Sequence, residues 1–520
     1  MAGFGAREAF SVGMMAGLAA CTGGSSETGA WALRLTPNTH PNQIPFQGSP
    51  EAKLLLRRSI GDEVIDLGTV VDGGELQAPG LPAADEMADV LSLGLAIQQP
   101  GGMNGAIDAN KLTSYGEATF DLAAVEVPVL VSELDRIGDL GSLPELKQRF
   151  LRVVGLVPPG KVYMLTGSEG LGNPTTGSTP TADVFELTSL DGGEPWTFEK
   201  LDPLKGTLNP PERVSAAASS VQVGDKPMIL VTGGRTDFWL TTPGYNDWFL
   251  WDPETHEVAD KGELSVDRSE HWQINLANGK VLVGGGWTPF DDATADLIDP
   301  SNGQVTEIEL GIDGGSGNNG AAIGADGALI CGGFTLNGNN ATAASGCAIV
   351  NFQGVARPVA PLPVPLAKFA MAPAGEGFVL ATGGISWSGS AGSQTSFPAL
   401  SGAYLYDVDK DEWTELNPLN EARSAAVGLP LANGRVLVVG GTASDGVLLL
   451  PDLEVECPEV YNPQSGSFTL LDDQCGSWGA GAAPPVARWP GLGTVLLKGY
   501  TQNAEPQDAV GFLGDEPNEE

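Results

Sequence analysis

Along most of the chain, short runs of Val, Leu and Ile stop at one or two glycines, and the pattern keeps returning. The copies are VYMLTGS from Val162, MILVTGG from Met228, KVLVGGG from Lys280, ALICGGF from Ala328, FVLATGG from Phe378, RVLVVGG from Arg435 and TVLLKGY from Thr494. A run that is apolar at every position, and not at every second one, marks a strand covered on both faces. The glycines let the chain turn where a side chain would collide. A second feature follows several stops: WDPETHEV from Trp251, IDPSNGQV from Ile298, YDVDKDEW from Tyr406 and YNPQSGSF from Tyr461. In each, a large residue ends a strand, Asp or Asn with Pro or Gly makes the turn, and Val, Trp or Phe starts the next strand.

The stops recur about every 50 residues, which is a repeat spacing and not that of an ordinary single core. With this period, the paired glycines and the turn-to-aromatic hairpins, residues 135–520 resemble kelch-repeat proteins. The resemblance implies a seven-bladed β-propeller, each repeat one four-stranded blade whose second strand ends at the glycines. The last repeat runs out into GDEPNEE, so EVPVLVSEL, Glu126 to Leu134, is expected to supply its missing outer strand and lock the ring. Ahead of it, ALRL, AKLLLRRS, DEVIDLG, DVLSLGLAI and EATFDLAAV alternate with Gly, Pro and Asn clusters. They predict a small immunoglobulin-like β-sandwich over 32–125, with the propeller over 126–520. The fold class is therefore all-β.

Composition agrees, since 72 Gly and 38 Pro in 520 residues suit many short strands. The formal net charge of −39 repels phosphate, so no nucleic-acid partner is expected. The opening residues add a destination. A short apolar run closes on Leu18, Ala19, Ala20 and Cys21, which resembles the lipobox of bacterial lipoproteins. That implies a signal peptide over 1–20, acylation of Cys21 and a flexible tether over 21–31. The membrane is then met through the lipid anchor only, and Thr22 resembles the signal for sorting to the outer membrane. The other four cysteines form two locally spaced pairs, Cys331 with Cys347 and Cys457 with Cys475. As disulfides these fit an oxidising compartment.

Candidate chemistry is sparse. A copper site resembling that of galactose oxidase wants two histidines with tyrosines and a crosslinked cysteine, and the chain has His40, His256 and His271 in three different segments. No sialidase-type SxDxGxTW turn occurs. DVDKDE at 407–412 alternates carboxylates, but Trp413 stands where a calcium loop needs glycine. Neither a metal nor another cofactor is expected. Basic residues do precede five of the stops, at Arg149, Arg213, Arg268, Lys368 and Arg423, and aromatics follow several, including Trp239, Trp287 and Trp387. His271 and Trp272 lie beside Arg268. Propeller geometry would bring both sets to one mouth. Guanidinium forks grip carboxylate or sulfate, and indole faces stack on sugars or apolar side chains. The competing reading makes these arginines ion-pair partners of neighbouring acids. The expectation is a lipid-anchored kelch protein that binds or scaffolds an acidic glycan or protein ligand through Arg213, Arg268, His271, Trp272, Trp239, Trp287, Lys368, Trp387 and Arg423. The alternatives are a sugar-modifying enzyme, mutarotase-like or a lyase, acting at the same mouth, or a purely structural surface protein.

Overall fold

The computed structural model describes chiefly residues 34–39, 50–58, 63–71, 90–100, 112–119, 126–142, 152–169, 179–189, 196–204, 212–236, 244–286, 293–390, 397–471 and 486–514, with short gaps inside several of these. Nearly every described element is a strand, as the hydrophobic runs require. Contacts divide the chain into two compact units, one of Met1–Leu140 with Thr188–Thr197 and Leu513–Pro517, the other of Gly141–Leu187 and Phe198–Phe512 with Asn518–Glu520. In the first, seven strands form one sheet in the order Arg34–Thr39, Glu126–Glu133, Leu112–Thr119, Val90–Gln98, Glu51–Arg58, Glu63–Val71 and Glu75–Leu76. The two strands furthest apart in sequence run parallel, with Arg34 opposite Glu126. The expectation for EVPVLVSEL is corrected here: Glu126–Glu133 pairs in this sheet and does not complete the last repeat.

The second unit is built chiefly from four-stranded sheets, numbered I to VII in chain order, of which II to VI are antiparallel meanders. Sheet I has Arg152–Gly155, Lys161–Leu165, Val184–Ser189 and Trp196–Lys200. Sheet II has Ala217–Val223, Lys226–Thr232, Tyr245–Asp252 and Glu257–Arg268. Sheet III has Trp272–Asn275, Val281–Gly284, Thr294–Asp299 and Gln304–Glu309. Sheet IV has Asn319–Ala322, Ala328–Cys331, Cys347–Val350 and Ala356–Val359. Sheet V has Ala370–Pro373, Phe378–Thr382, Ala403–Asp407 and Glu412–Glu415. Sheet VI has Val427–Pro430, Val436–Val439, Glu459–Asn462 and Ser467–Leu470. Sheet VII takes Val486–Trp489, Gly493–Leu497 and Ala509–Gly514 from the end of the chain, and its fourth strand, Gly138–Ser142, from ahead of sheet I. The ends of the unit are thus joined in one sheet, by the strand after the one the sequence suggested.

Packing follows the hydrophobic pattern. The second strands of sheets III, IV and VI are buried at every residue. Each core lies between successive sheets: Tyr163, Val184, Ile229 and Trp251 join I to II, Leu230, Trp248, Val281 and Ile298 join II to III, and Leu329, Ile349, Met371 and Tyr406 join IV to V. First strands touch first strands, I with II, II with III, III with IV, IV with V, V with VI, and VII with I. The first strands therefore surround a common axis and the fourth strands face outward. This is a propeller-like fold.

Cys331 and Cys347 are disulfide-bonded and stand directly opposite each other on the second and third strands of sheet IV. Cys457 is also disulfide-bonded, while Cys475, like Cys21, lies outside the described residues.

Candidate functional site

The segment leading into each sheet has a repeated local design. Ser215, Glu270, Gly317, Lys368 and Ala425 all adopt left-handed backbone, with φ between 52° and 70°. Glu270 N–H donates to Ser215 O at 2.9 Å, Lys368 N–H to Gly317 O at 2.9 Å and Ala425 N–H to Lys368 O at 2.7 Å. A backbone belt thus links neighbouring sheets near the axis. Two residues before four of these five belt positions, Gly317 apart, stand Arg213, Arg268, Leu366 and Arg423. Their carbonyls accept from the second glycine-position residue of the preceding sheet: Gly167, Gly234, Gly333 and Gly384, at 2.8–3.0 Å. This equivalence corrects the alignment of Lys368. It is a half-buried belt residue, and the arginine position of sheet V is held by buried Leu366.

The three aligned arginines are completely buried, each paired with a carboxylate on the third strand of the sheet it introduces. Arg213 forms a fork with Asp247, Nη1 to Oδ1 at 2.8 Å and Nη2 to Oδ2 at 2.9 Å, and its guanidinium lies against the Tyr245 and Phe249 rings. Arg268 Nε donates to Asp296 Oδ2 at 3.2 Å and Nη2 to Thr294 Oγ1 at 3.1 Å. Burial draws the Arg268 pKa below the ordinary arginine range, opposed by Asp296. Arg423 Nη2 donates to Glu459 Oε1 at 2.7 Å and to Cys457 O at 2.9 Å. The Asp296 and Glu459 side chains are 0% exposed. These forks close on their own sheets, and the principal partners are not the sequence-adjacent acids Glu212, Asp267 and Glu421. Glu421 lies 3.6 Å from Arg423. Arg149 lies in the short strand Gln148–Arg149, opposite Ser168.

Sequence reasoning missed the three acids, although each interrupts an apolar third strand (NDWFLW, TADLID, PEVYN) 28 to 36 residues after its arginine. It also missed Arg235, 1% exposed and paired with Glu270. The signal was the basic residue directly after paired glycines.

The other predicted residues separate. Trp272 is half-buried, donates from Nε1 to Asn318 Oδ1 at 2.9 Å, and its ring fills the space over Gly284 and Gly285, where a Cβ would come within 2.5 Å. Trp387 packs on Phe397, centroids 4.5 Å apart, over a cluster with Phe334, Ala367 and Ile385. It caps that cluster beside a small sheet joining Phe334–Asn337, Asn340–Ala343 and Ser388–Ser390. Trp239 and Trp287 lie outside the described residues. Buried His271 meets Thr232 Oγ1 through Nε2 at 2.7 Å. His256 sits in the hairpin after Asp252 and stacks on Trp251, at the other end of sheet II, and His40 lies outside the described residues. These two histidines do not converge on one site.

What opens on the axis is a cavity of about 630 Å³ between the first strands of sheets VII, I, II and III, lined by Val154, Gly155, Ala218, Ser219, Ser220, Val221, Gln222, Asn275, Ala487 and Arg488. Ser219 Oγ donates to Asn275 Oδ1 at 2.7 Å and accepts from Gln273 Nε2 at 2.6 Å. Arg488 is the cation among the lining residues. Its neighbours carry hydroxyls, amides and small apolar groups. Such a lining can hold a compact polar ligand, with one charge complement for an anion.

No family model matches the chain, and no curated protein matches it. Among solved structures it is similar to YjhT, at 17% identity over 64% of this chain and 98% of that one, with a TM-score of 0.44. It is also similar to a fungal alcohol oxidase of the AA5 family in complex with copper, at 13% identity over 73% of this chain and 76% of that one, with a TM-score of 0.51. At such identities the likeness is one of fold. Among the described residues, His256 and His271 stand apart and do not form a histidine pair. Together with the sheets, the likeness to the oxidase supports a β-rich, propeller-like architecture.

Proposed function

We propose that the chain is an exported, lipid-anchored kelch-type binding or scaffolding module, with an immunoglobulin-like β-sandwich preceding a seven-bladed propeller along the sequence. It takes an acidic glycan or acidic protein segment at the axial cavity. The observation that carries the ligand class is the lining, with Arg488 set among Ser219, Ser220, Gln222 and Asn275 and beside Val154, Ala218, Val221 and Ala487. A guanidinium matches a carboxylate or sulfate in charge and shape. Hydroxyls and amides match sugar hydroxyls or peptide groups, and the small apolar residues suit the less polar face of a ring. In this reading Arg213, Arg268 and Arg423 hold sheets together and are not the ligand's contacts. Trp239 and Trp287, which follow glycine stops in the sequence, serve as stacking groups. Cys21 carries the lipid, and the outer membrane or cell surface is the location.

The test is a glycan and peptide array probed with the full chain beside Arg488→Ala and Asn275→Ala variants. Binding to uronic-acid or sulfated glycans, or to acidic peptides, that weakens in both folded variants supports the axial site. Undiminished binding by both variants removes it. Metabolic labelling with a fatty-acid analogue tests the anchor, since Cys21→Ala should abolish incorporation.

A further inference from the structure

The cavity wall is tied to the buried core by a series of side-chain hydrogen bonds, and two backbone carbonyls set its direction. Ser220 O can only accept. Asn275 therefore meets it with Nδ2, at 2.6 Å, which turns Asn275 Oδ1 toward Ser219 Oγ, at 2.7 Å. The Ser219 hydroxyl is then the donor. Leu230 O is likewise an acceptor, 3.2 Å from Gln273 Nε2, and the same Nε2 lies 2.6 Å from Ser219 Oγ. Gln273 must therefore present Oε1 to Thr232 Oγ1, at 2.8 Å. A carbonyl oxygen has no proton to give, so the single hydroxyl proton of Thr232 goes to Gln273. The remaining contact, Thr232 Oγ1 to His271 Nε2 at 2.7 Å, then needs a proton on the imidazole. Packing keeps the ring in place, because a Cβ on Gly233 would come within 2.8 Å of His271 Cε1.

We infer that His271 carries a proton on Nε2, and that His271, Thr232 and Gln273 are positioning residues for the axial cavity. The series runs one way, from His271 through Thr232, Gln273 and Ser219 to Asn275 and Ser220 O. It directs the Ser219 proton along the wall to Asn275. A ligand's hydroxyl donors can therefore meet the remaining lone pairs on Ser219 Oγ and Asn275 Oδ1. That role in recognition rests on the axial-site reading proposed above, whereas the protonated Nε2 rests on the hydrogen bonds alone.

The experiment is long-range proton–nitrogen NMR of the full chain labelled with nitrogen-15 histidine. With three histidines in the sequence, a His271→Gln variant assigns the signal. The expected result is a proton on His271 Nε2. In Gln273→Leu, which removes the acceptor of the Thr232 proton, the Thr232 hydroxyl is released to donate to His271, and the Nε2-protonated population should fall. Gln273→Glu, which still accepts from Thr232, should retain it. An unprotonated Nε2 in the wild-type chain overturns the assignment, as does a folded Gln273→Leu variant with an unchanged spectrum. Galacturonate is the probe for the cavity, and its affinity should fall about tenfold in Gln273→Leu. A folded variant of unchanged affinity overturns the positioning role. A wild-type chain that binds no galacturonate removes the site reading for this probe and leaves the NMR result standing.

Discussion

At the scale of single residues, burial decides what the arginines do. A guanidinium forked onto a buried carboxylate leaves little to offer a ligand, and removing one partner strands the other in a poorly solvated place. Arg268→Met should therefore cost about 3–5 kcal/mol, because Asp296 would remain buried without its cation. Adding Asp296→Leu should recover much of the loss, since an apolar pair can replace a buried ion pair. Arg213→Met should cost less, about 1–2 kcal/mol, because its partner Asp247 is 28% exposed. Denaturant melts of the four proteins check this. The positions of the arginines were legible in the sequence because they stand at fixed places before the glycine stops. Their partners were not, because an acid on the third strand becomes a neighbour only after the meander has formed. Arg488 was passed over for a related reason: its place in the cavity depends on the first strands of four sheets meeting at the axis.

At the scale of elements, the glycine stops have a second purpose beyond turning the chain. The first glycine of a stop lies against the segment that leads into the next sheet. A Cβ on Gly332 would fall 2.3 Å from Leu366 O, and one on Gly383 2.4 Å from Arg423 O, both at positive φ. Gly383→Ala should therefore lower stability by about 1–3 kcal/mol or more, as a melt would measure, through strain and the displaced lead-in of sheet VI. Strand content, the stops and the hairpin turns were readable because they are local. The fourth strand of sheet VII was misplaced by one element, since Glu126–Glu133 and Gly138–Ser142 are both short strands and only long-range pairing separates their fates. The alternating acids at 407–412 also gain meaning only in context. Tyr406 Oη donates to Asp411 Oδ1 at 2.6 Å and Ala360 N–H donates to the same atom at 2.8 Å, tying this hairpin to the segment after sheet IV. These bonds, Tyr406 first, hold the Asp411 pKa below the usual carboxylate range. Its stabilising contribution is present above the unfolded value of about 3.9 and is lost as pH falls through the lower folded value. Between about pH 4 and pH 2, Tyr406→Phe should show a smaller pH-dependent drop in Tm than the parent.

At the scale of the whole molecule, the formal charge of −39 sets the terms on which an acidic ligand can approach. Long-range repulsion opposes the encounter, while Arg488 acts only at close range. Salt screens the first over about 8–10 Å at ordinary ionic strength and weakens a partly enclosed contact less. Association of an anionic ligand should therefore become faster between about 20 and 150 mM salt, the reverse of binding to a basic surface. Stopped-flow rates test it. The one disulfide described at both ends closes a separation of 16 residues. Changing Cys331 and Cys347 together to Ala should cost about 3 kcal/mol by the chain-entropy argument, read from unfolding in denaturant.

The most direct measurement is a difference electron-density map from crystals of the full chain soaked with galacturonate. The account predicts density on the axis, with the carboxylate on Arg488, ring hydroxyls on Ser219 and Asn275, and the Arg213, Arg268 and Arg423 ion pairs undisturbed. Galacturonate bound on any of those three arginines, or an empty axial cavity, would contradict it.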